Sequence, residues 1–96
     1  MAVMYSLYSV KDRKGSFMDP VPQLSDGIAI RSFLTLLQQV KNSDSGSFSV
    51  PYSDLELYRL GTIDLSSGII SPEMPSLLAT STLLDNEEME AVCNDK

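Results

Sequence analysis

The chain contains no histidine, which removes at one stroke the commonest general base and the commonest transition-metal ligand. Ser-His and Cys-His nucleophile pairs go with it. The single cysteine, Cys93, can close no internal disulfide and cannot by itself form a metal site. Gly15, Gly27, Gly46, Gly61 and Gly68 stand apart from one another, and none belongs to a phosphate-cradling loop. No run approaches the roughly 18 uninterrupted apolar residues of a membrane span. Met1–Ser6 lacks a positive segment leading into a long apolar run, so no signal peptide is expected and an intracellular site of action fits. Basic residues are also scarce: seven against 13 acidic ones give a net charge of −6. Strong nonspecific DNA binding is disfavoured, since phosphate neutralisation supplies most of that affinity.

What remains is the composition of one ordinary globular domain: 96 residues, 43% apolar and 21% charged. A chain of this size buries only about two-thirds of the surface its unfolded form exposes. Its core is therefore modest, and an uncovered sheet face is a natural place to form a homodimer. The charge is unevenly placed. Lys11, Arg13, Lys14, Arg31 and Lys41 outnumber Asp12, Asp19 and Asp26 in the first 41 residues. Asp85, Glu87, Glu88, Glu90 and Asp95 face only Lys96 at the other end. Residues 3–84 read as a single domain and 85–96 as a disordered acidic tail.

Val3–Val10, rich in β-branched and aromatic residues, predicts a strand, and Lys11–Gly15 a hairpin loop. The return strand is placed at 16–20, ending because Pro20 and Pro22 cannot donate to a ladder. Ser25 is a good helix cap and Asp26 favours the helix dipole; Leu24 and Ala29 have staple spacing. Ile30, Phe33, Leu34, Leu37 and Val40 then form one apolar stripe, which predicts a helix over 25–41. Asn42–Ser49 reads as a mobile loop pinned at its far end by Phe48, Val50 and Tyr52. Leu55–Asp64 predicts a third strand, with Gly61 marking a bulge or a close approach. A fourth strand over 68–72 is expected to halt at Pro72, with Pro75 ending regular pairing. The ββαββ order predicts an α+β fold: a four-stranded antiparallel sheet with one helix packed on a face.

The evenly spaced Asp12, Asp19 and Asp26 are accounted for separately by a turn, a proline segment and a helix cap, so no metal site and no cofactor is expected. Two constellations suit binding. Lys11, Arg13 and Lys14 sit at a hairpin tip with Tyr5, Tyr8 and Phe17 on its flanks. Aromatic rings on a sheet beside basic side chains hold single-stranded nucleic acid by sequence-tolerant stacking; the plainer reading makes the rings core and the cations turn residues. Tyr58 with Arg59 is the second. Leu77, Leu78, Leu83 and Leu84 are apolar enough to dock across the sheet or onto a second subunit.

Three blocks, in order, resemble the small non-structural protein of gokushovirus-type microviruses. They are Met4–Pro20, Ser25–Phe33, and Tyr52–Asp64 followed by Gly68. The first resembles that family's aromatic-rich strand, turn, and Phe leading into a proline segment. The second resembles its helix opening, and the third its Leu-Tyr-x-Leu-Gly block. Val50-Pro51-Tyr52 departs from the usual His-Pro pair, and nothing after Pro75 has a counterpart. The resemblance implies a non-enzymatic accessory protein of a circular single-stranded DNA phage, made in the bacterial host cytoplasm. It would bind single-stranded DNA or the replication and packaging complex. The alternative is a structural or scaffold-like module contacting capsid or host proteins.

Overall fold

A computed structural model describes residues 3–42 and 51–86. The elements run β1 (Met4–Asp12), β2 (Val21–Gln23), α1 (Asp26–Lys41), a 3-10 turn (Tyr52–Asp54), β3 (Leu55–Asp64) and β4 (Ile69–Thr80). All strand pairs are antiparallel, in the order β2-β1-β3-β4, and α1 packs on one face. The α+β architecture expected from the sequence is the one found. The loop assigned to Phe48 and Val50, and the tail carrying Cys93, lie outside the described residues.

Helix α1 starts where its chemistry places it. Ser25 is extended and its hydroxyl accepts from the Ile28 amide at 3.3 Å, satisfying one donor of the first turn. Asp26 and Lys41 sit at the ends that suit their charges. The buried line is Ala29, Phe33 and Leu37, at intervals of four, with Ile30, Leu34, Leu36 and Val40 packed along its flanks. The apolar stripe is therefore centred one position earlier than the pattern alone suggests, while Leu24 stays largely in solvent. Opposite this line lie Tyr8, Leu55, Leu57 and Leu84, which complete the core.

Both proline-based strand ends need correction. The second strand runs over Val21–Gln23, through Pro22, and the 16–20 segment contributes only one bridge, Phe17 to Lys11. The bridge's two bonds, Met18 N to the Val10 carbonyl at 2.8 Å and Asp12 N to the Ser16 carbonyl at 3.2 Å, hold that segment, and the buried Ser9 hydroxyl adds a third by donating to the Met18 carbonyl at 2.6 Å. The fourth strand continues to Thr80 through Pro72 and Pro75. Both are edge strands, where a residue without an N–H can face solvent. In β4 the register also shifts: Arg59 pairs with Ser76 and Gly61 with Pro72, so Glu73, Met74 and Pro75 bulge opposite Leu60. Gly61, suspected of marking a close approach, has φ +153, and a Cβ there would collide with the Ser71 carbonyl oxygen. The β3–β4 turn is tied by Asp64, whose carboxylate accepts from Ser66 N at 2.9 Å; this and neighbouring donors hold its pKa below the ordinary value.

Candidate nucleic-acid interface

Strand pairing sorts the side chains onto two faces. Val10 pairs with Leu57 and Tyr8 with Arg59, and this face lies under the helix. The alternate residues, Tyr5, Leu7, Ser9 and Lys11 of β1 with Glu56, Tyr58 and Ile63 of β3, face the other way. The 16–20 segment lies over one end of that second face, through the Lys11–Phe17 bridge and the Phe17–Tyr58 ring contact.

At one end of it Lys11, Phe17 and Tyr58 come together. The Phe17 and Tyr58 ring centroids are 5.4 Å apart at an interplanar angle of 77°, an edge-to-face pair. The Lys11 ammonium lies 5.5 Å from the Phe17 centroid and 6.0 Å from that of Tyr58, within cation–π range of both. Phe17 is 40% exposed, so its ring meets solvent. Glu56 pairs across from Lys11 and accepts from the Tyr58 hydroxyl at 3.4 Å. Partial desolvation and then this carboxylate raise the Tyr58 pKa above its ordinary value, so the phenol is neutral at physiological pH.

The sequence candidates divide. Lys11, Phe17 and Tyr5 lie on the open face. Lys14 is exposed in the turn beyond, where its amide donates to Asp12 Oδ1 at 3.0 Å. Arg13 is exposed too, but its guanidinium lies 3.5 Å from the largely buried carboxylate of Asp54. Tyr8 does not serve as a stacking platform: it is 2% exposed, under the helix, and donates its hydroxyl to Asp26. Arg59 also turns to the helix side, 3.5 Å from both Asp26 and Glu73, and so leaves Tyr58 behind. Tyr58 replaces Tyr8 in the cluster. Parity carried that information, because Leu55 and Leu57 must face the core and Tyr58 then cannot.

The four leucines assigned to a subunit interface separate as well. Leu77 is exposed on the open face beside Tyr58. Leu78 and Leu83 pack at the edge of the core, and Leu84 is 2% exposed inside it. Leu84 is thus an intramolecular core residue, placed by a helical turn over 82–86. Asp85, read as part of the tail, accepts from the Tyr52 hydroxyl at 3.0 Å.

The profile of the phage ORF5 protein family matches residues 5–84, the whole of this sheet, helix and closing turn. The chain belongs to the phage ORF5 protein family. No curated protein and no solved structure matches it. In this ORF5 protein a second concavity, of about 340 Å³, opens on the helix side between α1 and the 18–23 segment, lined by Tyr8, Val10, Met18, Val21, Phe33 and Leu36. The one charged residue lining it is Asp19, which suits it poorly to phosphate.

Proposed function

We propose that this phage protein acts by binding rather than catalysis, holding single-stranded DNA, or the complex that replicates and packages it, on its open sheet face. The observation that carries this reading is the ammonium of Lys11 seated over the rings of Phe17 and Tyr58. A base stacked on Phe17 places its phosphate within reach of a cation that the same ring already orients. Lys14, and Arg13 when it swings from Asp54, extend the positive end of the face. Each stacked base contributes on the order of 1–3 kcal/mol without regard to sequence. Unpaired strands suit such a surface, because a duplex hides the faces of its bases.

The resemblance to gokushovirus non-structural proteins supports the same assignment, with a phage of that kind as the source and the bacterial host cytoplasm as the place of action. The competing reading, a scaffold-like module for capsid or host proteins, draws on the net charge of −6 and on exposed apolar residues of β4. Fluorescence anisotropy of a labelled oligothymidylate at 50 mM salt separates the two. Saturable binding that weakens with salt and is competed better by single-stranded than by duplex DNA is expected. A flat titration transfers the face to a protein partner.

A further inference from the structure

Beyond the reach of α1 the sheet continues as an arm made of the start of β1 and the β3–β4 hairpin. The strand side chains that are fully buried, Tyr8, Ser9, Leu55 and Leu57, all lie at the helix end. At the other end Tyr5 pairs with Ile63 and Ile63 with Ile70, a cross-strand apolar row on the open face. Met4 and Ile69, 52% and 66% exposed, occupy the reverse side of the same rows. Ile70 is 54% exposed and Met74 86%. Tyr5 and Ile63 are half-buried.

Its chemistry selects the occupant. From residue 60 to residue 84 the chain has two charged side chains, Asp64 and Glu73. Asp64 is engaged in its own turn, and Glu73 lies 3.5 Å from Arg59. The arm is therefore the electrically quiet end of a chain that elsewhere carries net −6. Two copies can meet there without bringing their charges together. Lys11 and Glu56 lie six residues along the strands from the row, roughly 20 Å at about 3.3 Å per residue. That exceeds the Debye length of about 8 Å at physiological salt. Pro72 and Pro75 contribute no N–H to the outer edge of β4, which opposes edge-to-edge strand addition and leaves face-to-face packing. The arm, residues 3–5 and 60–76, numbers twenty, and only one of its faces meets the partner, which places the contact at the small, reversible end of specific interfaces.

We infer that Tyr5, Ile63 and Ile70 form the centre of a two-fold interface with a second copy of this chain. A two-fold axis in the interface, lying along this row, sets Tyr5, Ile63 and Ile70 each against the same residue of the other copy, so the row is its own complement. With the strands of the two copies antiparallel, the Lys11–Phe17–Tyr58 clusters point to opposite ends and stay open. The inference stands whether or not those clusters bind DNA.

Sedimentation of the full chain between 1 and 100 μM tests it. A mass of twice 10.5 kDa is expected at the upper end, falling on dilution. Ile70→Asp, at an exposed position that tolerates charge, should raise the dimer dissociation constant at least tenfold while the circular-dichroism melt stays cooperative. Leu77→Asp, at the other end of the face, should leave it unchanged. A chain monomeric at 100 μM overturns the inference, and so does an Ile70→Asp variant as dimeric as the parent. If Ile70→Asp does not fold, Ile63→Cys in a Cys93→Ser background gives a second reading. A short bismaleimide should join its two copies, and failure to do so overturns the interface equally.

Discussion

The Tyr8 hydroxyl donates to Oδ1 of Asp26 over 2.5 Å, joining the first strand to the first turn of the helix. Arg59 Nη1 stands 3.5 Å from the same carboxylate oxygen and its Nε 3.5 Å from Glu73, so one chain of polar contacts links β1, α1, β3 and β4. The Nε atom is buried and has no well-aligned hydrogen bond, which leaves its contact with Glu73 purely electrostatic. Burial, and then the bond to Asp26, push the Tyr8 pKa above its ordinary value of 10.0. A raised folded pKa means that this contribution to stability is complete below pH 10 and is lost as pH rises through the folded value. Tyr8→Phe should therefore cost about 1.5–3 kcal/mol at pH 7, the scale of a hydrogen bond to a charged group. Its alkaline unfolding above pH 10 should be shallower than the parent's, as urea melts across that range will read.

Phe33 fills the middle of the helix–sheet contact, 2% exposed between Ala29 and Leu37. Phe33→Ala should cost about 3–5 kcal/mol through the forfeited transfer energy and the cavity left behind. Urea denaturation should show a lower midpoint with an unchanged slope.

Gly61 and Gly68 both have positive φ, yet they should respond differently. A Cβ at Gly68 meets nothing within 4 Å, so Gly68→Ala costs only the backbone preference, about 1 kcal/mol. At Gly61 the added carbon drives into the backbone of Ser71 and Pro72, which cannot yield like a side chain. Gly61→Ala should cost clearly more, about 2–4 kcal/mol, and thermal melts of the two variants side by side will rank them.

What the sequence disclosed and what it hid follow from these contacts. The helix was legible because Ser25, Asp26 and the spacing of Phe33 and Leu37 are local signals. The strand ends at Pro22, Pro72 and Pro75 were not, because a proline stops a strand only where its missing N–H is needed, and strand order decides that. The site was half legible. Lys11 and Phe17 announced themselves beside a turn, but which tyrosine joined them depended on the face that Leu55 and Leu57 claim. Leu84 looked like a surface anchor because nothing near it in sequence shows that a helical turn folds it under α1.

The DNA reading makes the sharpest demand, because the charge of −6 opposes it. At physiological salt, charges more than a Debye length of about 8 Å apart are largely screened, so binding must come from the cations nearest each phosphate. Phe17→Ala should weaken binding to an oligothymidylate by about 1–3 kcal/mol, the worth of one stacked base. Its partly exposed ring makes a comparable loss of fold stability unexpected. Tyr58→Ala should act in the same direction, and Tyr8→Phe should not affect binding. Replacing Lys11, Arg13 and Lys14 together by glutamine should weaken binding and flatten its salt dependence, by about 0.7 in log–log slope for each phosphate no longer neutralised. Residues 87–96 hold Glu87, Glu88, Glu90 and Asp95 against Lys96. Their removal should speed association at low salt and strengthen binding, with the gain disappearing as salt rises. A truncated chain that binds no better than the full one at 50 mM salt, with Phe17→Ala also neutral, would leave the face without a nucleic-acid role and give it to a protein partner.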